Sequence, residues 1–152
     1  MTIFIMNWNW LDWPKKQAEF FTECGHTVII VDNCSTMPKL LEWYKTCPYK
    51  VISTEGVKLE TYNRFIWEMN LPEQYAEGNF YGITDSDIDF TGIPKDFCEV
   101  LANHIERSAG ILKCGLSIRL SDLPDNPYAN RYKEAEKNNW SQEDQYGFYG
   151  IP

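Results

Sequence analysis

Short apolar runs alternate with amphipathic stretches along most of this chain. The first run, "TIFIM" at 2–6, and the second, within "HTVIIVDN" at 26–33, are compact and rich in β-branched residues, as strands buried on both faces of a sheet require. The stretch between them has helix length. Asp12 and Pro14 supply start signals, Ala18 and Phe21 mark an apolar side, and Gly25 supplies a stop. Strand, helix and strand at this spacing predict a βαβ unit with parallel strands and a right-handed crossover. The pattern then repeats. Thr36 and Pro38 open a second helix carrying Leu40, Leu41 and Tyr44, and "KVIST" at 50–54 is the next strand. A helix is predicted after Gly56, with Tyr62, Phe65, Ile66 and Met69 at helical spacing and Pro72 just beyond its end. "NFYGIT" at 79–84 reads as a fourth strand. A helix from Pro94 places Phe97, Val100, Leu101 and Ile105 on one side, and "GILKCGLSIRL" at 110–120 reads as a further strand.

After Leu120 the chain turns polar, turn-rich and aromatic, which predicts a loop and a short helix covering one face of the core. There is no internal repeat and no low-complexity linker. The expectation is a single domain over 1–152, with a core at 1–120 and a covering segment at 121–152. Its fold class is an open, mostly parallel α/β sheet flanked by helices. In such sheets, ligands bind beyond the carboxyl ends of the strands.

Composition narrows the functional classes. The chain has 152 residues, 43% of them hydrophobic, enough for one sizeable core. Its formal charge of -8 argues against nucleic acid or an anionic membrane as a partner held by a general basic surface. An anionic ligand then needs a local device such as a metal or a helix N-terminus. The five cysteines are odd in number and scattered, with no C-x-x-C pair, so neither a disulfide framework nor a zinc knuckle is predicted. "MTIFIMNWNW" has no basic leader and no membrane-length apolar run. The expected setting is a reducing cytoplasm. His26 and His104 read as structural.

The chemistry concentrates in "YGITDSDIDF" at 81–90, where three aspartates stand two residues apart directly after a strand and the next basic residue is Lys95. Their repulsion makes an external cation the natural partner. Asp32, after "VIIV", brings a further carboxylate to a strand end. Hard oxygen ligands of this kind suit Mg²⁺ or Mn²⁺, and such an ion lets an acidic crevice accept a diphosphate. As an EF-hand loop starting at Asp85, the segment fails, because position 6 is Phe90 where glycine is needed and position 12 is Asp96. "DIDFT" at 87–91 matches the D-x-D-x-T of haloacid-dehalogenase-type phosphatases, although two polar residues separate strand and first aspartate. Asp85-Ser86-Asp87 matches the D-x-D of nucleotide-sugar glycosyltransferases. Solvated turn carboxylates, and an Asx turn at Asp32-Asn33, are the structural alternatives.

The segments "VDNCSTMPKLLEWY" (31–44), "YGITDSDIDFTGIPKDF" (81–97) and "GLSIRLSDLPD" (115–125), in this order, resemble GT-A-fold glycosyltransferases. The likeness is to a group of small bacterial and viral family-2-like members, and it covers most of the chain. The resemblance implies a GT-A, Rossmann-like nucleotide-binding half, a UDP-sugar donor and an unknown, saccharide-type acceptor. It implies that Asp32 hydrogen-bonds the base, that Asp85 meets the ribose, and that Asp87, with Asp85, holds the metal. Asn7 and Asn9 would lie beside the base or ribose, and Gly56 would form the turn after the third strand. Thr54 stands where such proteins often carry asparagine. Lys58 and Arg64 are the basic residues to test as phosphate contacts, with solvated helix charges as the alternative. The six tryptophans offer faces to a sugar or base, and most are expected in the core or under partial cover.

Glycosyl transfer needs a base for the acceptor hydroxyl. Asp122, Asp125, Glu143 and Asp144 are the available carboxylates, and Asp122 alone ends a predicted strand in a family-like segment. Relatives continue beyond "YGIP" into another strand and helices, so the resemblance implies a shortened acceptor side and residual donor hydrolysis. A non-catalytic nucleotide-sugar-binding module is the alternative from a different class.

Overall fold

The computed structural model describes residues 1–56, 64–116 and 123–139. Along the chain follow β1 (Thr2–Asn7), α1 (Asp12–Glu23), β2 (Thr27–Asp32), α2 (Pro38–Tyr44), β3 (Lys50–Ser53), α3 (Phe65–Glu68), α4 (Leu71–Tyr75), β4 (Tyr81–Asp85), α5 (Phe97–Arg107) and α6 (Pro127–Asn139). The chain falls into two compact units, Met1–Ile111 and another from Leu112 onward.

The first unit is an all-parallel four-stranded sheet in the order β3-β2-β1-β4, flanked by helices. This is the open α/β architecture that the alternating pattern predicts. Parallel strands need crossovers, and α1 supplies the first. It ends in a Schellman motif, with Gly25 at a φ of +80°, the Gly25 N–H donating to the Thr22 carbonyl and the His26 N–H to the Phe21 carbonyl. A left-handed residue at this point suits glycine and turns the chain directly into β2.

Side-chain alternation explains why the central strands read as unbroken apolar runs. Ile3 and Ile5 of β1 face the same side as Val28 and Ile30 of β2, packed with Ala18 and Phe21 of α1 and Cys98 of α5. Phe4, Ile29 and Val31 face the other side, against Phe65 and Ile66 of α3 and Leu71 of α4. With both faces covered, no polar alternation survives in β1 or β2. Burial keeps the Cys98 thiol protonated, its pKa pushed up to about 11.

Two predicted elements differ. Residues 110–116 form no strand: Gly110 has a φ of +86° and Leu112 is 93% exposed, so this part of the apolar run has no sheet to join. The remainder, 117–120, lies outside the described residues. The helix expected after Gly56 is two short helices, and Pro72 is in the first turn of α4 rather than beyond a helix end. Proline fits a first turn because its missing N–H would have no partner there. Residues 57–63 lie outside the described part.

In the second unit, α6 is the short helix expected after Leu120. Asn126 caps it, its Oδ1 accepting from the Ala129 N–H at 2.9 Å, with Pro127 following. Among the described residues, no helix is long and apolar enough to cross a membrane.

Neighbouring positions in α2 provide a test of the core assignment. Leu40 is fully buried and Leu41 is 39% exposed. Chemical denaturation is expected to show a loss of about 2–5 kcal/mol for Leu40→Ala and under about 1 kcal/mol for Leu41→Ala.

Candidate functional site

The strand order places β2 and β3 on one side of β1 and β4 on the other. Chain progression therefore reverses between β1 and β4, and in a parallel sheet a crevice opens past the carboxyl ends at such a point. An open cleft of about 250 Å³ lies there, lined among others by Asn7, Trp8, Trp10, Asn33, Asp85 and Asp87. A larger cavity, about 470 Å³, opens at the amino ends of β2 and β3. Among the described residues its single carboxylate is Glu77, and the Lys50 ammonium lies 3.7 Å from the centre of the Tyr75 ring. Chemistry rather than volume points to the smaller cleft.

The Asp85-Ser86-Asp87 turn is held from beneath. Asp85 ends β4 opposite Met6, and the buried Ser86 donates its N–H to the Met6 carbonyl at 3.0 Å. Gln17 of α1, itself buried, donates from Nε2 to the carbonyls of Asp85 and Ile88 at 2.9 and 2.7 Å. Its own Oε1 has no partner. With these backbone groups fixed, the side chains of Asp85 and Asp87 remain exposed at the cleft. Partial burial, and then the charge of Asp87, raise the Asp85 pKa above the ordinary carboxylate value. The third aspartate does different work: Asp89 accepts the Thr91 N–H at 2.9 Å, and its hydrogen bonds to Thr91 lower its pKa.

Among the described residues, no group of three or more His, Cys, Asp or Glu side chains is placed around a common ion. An ion at Asp85 and Asp87 would find two carboxylates, and the rest of its shell would have to come from water and ligand oxygens, as Mg²⁺ and Mn²⁺ commonly take beside a phosphate.

Asp32 is 4% exposed and has both oxygens engaged inside the fold. Oδ2 accepts the Ser35 N–H at 2.9 Å, and Oδ1 accepts the Tyr44 hydroxyl at 2.9 Å. Tyr44 in turn accepts from Asn7 Nδ2 at 2.7 Å, which also donates to the Trp10 carbonyl at 2.9 Å. Burial is the main reason that the Tyr44 hydroxyl is pushed well above its usual pKa. Each oxygen keeps a further lone pair, but the burial of Asp32 leaves little of it open to a ligand. Asn9, at a φ of +57°, is likewise a fastener. Its Oδ1 accepts from the N–H groups of Thr36 and Met37 at 2.7 and 3.0 Å, and its own N–H donates to Ser35 Oγ at 2.8 Å.

The other predicted residues are dispersed. Gly56 has a φ of +77° with open space around it, so the turn's backbone requires it, not a close contact. Thr54 is buried and donates to Asn33 Oδ1 at 3.1 Å. Arg64 is exposed, and its carbonyl accepts from Trp67 and Glu68 at the start of α3. Lys58 and Asp122 lie outside the described residues. Sequence reasoning missed Gln17, Tyr44 as a hydrogen-bonding group, and Asn33. A signal existed for Gln17, one turn before Phe21 on the apolar stripe of α1. For Tyr44 and Asn33, partners distant in sequence define the role, and no local pattern marks them.

A comparison with known protein families, characterised proteins and solved structures matches none of them.

Two predictions test this geometry. Tyr44→Phe leaves buried Asn7 and Asp32 groups unpaired, and should cost about 1–3 kcal/mol in chemical denaturation. For Asp85, the folded pKa lies above the unfolded one, so the group's contribution to stability is complete below the ordinary carboxylate value and is lost as pH rises through the elevated folded value. Asp85→Asn should therefore stabilise the protein near neutrality, by less than about 1 kcal/mol because the group is partly solvated. In acid, thermal melts of variant and parent should converge.

Proposed function

We propose that the first unit binds a nucleotide-diphosphate sugar in the cleft between β1 and β4, and that the chain is a glycosyltransferase acting on that donor. The observation that carries the reading is the place of Asp85 and Asp87, on a turn whose backbone is hydrogen-bonded at the carboxyl end of β4, beside the point where strand order reverses. Two carboxylates held together repel each other and invite a cation, and an acidic cleft with a cation accepts a diphosphate. Asp85 and Asp87 would hold Mn²⁺ or Mg²⁺, which supplies charge neutralisation for the departing diphosphate.

The chain's own residues supply positioning. Gln17 fixes the carbonyls of Asp85 and Ile88, which holds the backbone of the turn that carries the two carboxylates. In the transfer, the bond from the anomeric carbon to the diphosphate oxygen breaks with its electron pair leaving on that oxygen. An acceptor hydroxyl forms the new bond and gives up a proton. For that proton the resemblance implies Asp122, which lies outside the described residues. Where no acceptor is bound, water takes its place and the donor is hydrolysed.

Thermal melts with UDP, GDP, CDP and ADP, each with and without Mn²⁺, test the reading. One nucleotide, expected to be UDP, should stabilise the protein only when Mn²⁺ is present, by about 2–3 kcal/mol at a hundredfold excess over Kd. Free UDP should then appear from UDP-glucose or UDP-galactose, and Asp87→Ala should reduce its rate at least about tenfold. Binding without release of UDP above that variant's level would identify a binding module instead. Stabilisation by no nucleotide would contradict the reading.

A further inference from the structure

The buried positions of α1 are Pro14, Gln17, Ala18 and Phe21, spaced as the inward stripe of an amphipathic helix. Pro14, Ala18 and Phe21 are apolar, and Gln17 is not. It is 2% exposed, and its Oε1 has no hydrogen-bond partner, a destabilising state for a buried acceptor. Packing of α1 against the sheet therefore gives no reason for an amide at this position. Its Nε2 does, because it donates to the carbonyls of Asp85 and Ile88, 68 and 71 residues away in sequence. The Asp85 carbonyl has a second donor in the Thr84 hydroxyl at 3.1 Å. Among the described residues, the Ile88 carbonyl has no donor but Gln17. Gln17 is outside the lining of the cleft, so its effect on a ligand there has to pass through the turn.

We infer that Gln17 is a positioning residue for Asp85 and Asp87: from behind the turn, and without touching a ligand, it sets how tightly the two carboxylates take up a divalent cation. This rests on the proposed reading of the cleft as a cation and diphosphate site. Both aspartate side chains are exposed, but the separation of their Cα atoms and the directions of their Cα–Cβ bonds follow the backbone. An ion shared by the pair therefore needs one backbone arrangement of the turn. Were that arrangement populated about a tenth of the time, the apparent affinity would fall about tenfold. One amide nitrogen with two N–H donors holds the carbonyls of Asp85 and Ile88 at once. A carboxyl group of the same shape supplies at most one donor.

Isothermal titration of the full chain with Mn²⁺ alone, and with UDP in the presence of Mn²⁺, tests this role. Gln17→Met keeps the length of the side chain and removes both donors, and should weaken each ligand about tenfold. Gln17→Glu should weaken both as well. The loss belongs to binding and not to the chemical step, because bound ion and diphosphate restore the turn. For release of UDP from UDP-glucose, KM should rise about tenfold while kcat stays within about twofold of the parent. Amide hydrogen exchange in Gln17→Met should quicken about tenfold at Ser86 and stay unchanged at Ile5, in the centre of the sheet. Equal affinities in the parent and both variants would overturn the role of Gln17 and leave the nucleotide reading standing. Loss of protection at Ser86 and Ile5 together would also overturn it, by marking Gln17 as a fastener of the whole unit. A parent that binds neither Mn²⁺ nor UDP overturns both.

Discussion

Two carboxylates two residues apart, carried on a turn whose backbone the fold holds, are the constraint on which the cleft's chemistry depends. The strand register to β1, the Ser86 N–H on Met6 and the two hydrogen bonds from Gln17 hold the backbone of the turn, while both carboxylates stay exposed. Partial burial, and then the neighbouring charge of Asp87, raise the pKa of Asp85. Gln17 links the turn to the core, because the same helix that buries Ala18 and Phe21 against the sheet aims the amide at it.

The neighbouring strand ends are arranged by a different network. Asn7, Tyr44 and Asp32 form a buried relay joining β1, α2 and β2, and each member depends on the next for its hydrogen bonds. Such networks stabilise when complete and are costly when one member is lost. Asn7 belongs both to this relay and to the lining of the cleft, and its Oδ1 is left without a hydrogen-bond partner.

Much of the sheet was legible in the sequence because burial on both faces writes a simple pattern. "TIFIM" and "VIIV" could hardly be anything but interior strands, and the D-S-D turn followed from its place after a strand. The run at 110–120 misled because apolar content alone does not create a strand: residues 110–116 form none, and Leu112 is exposed. Asp32 shows the other limit. Its position at a strand end was readable, but whether its oxygens face a ligand or the fold depends on Tyr44 and Ser35, whose approach is set by tertiary packing.

The most direct measurement is paramagnetic broadening by Mn²⁺ in backbone NMR spectra, recorded with UDP present. Signals of Asp85, Ser86 and Asp87 and the Trp8 indole should vanish at substoichiometric Mn²⁺, while those of Thr27 and Lys50, at the opposite end of the strands, persist. Uniform broadening, or loss centred on the amino-end cavity, would place the ion elsewhere and contradict a diphosphate site at the end of β4.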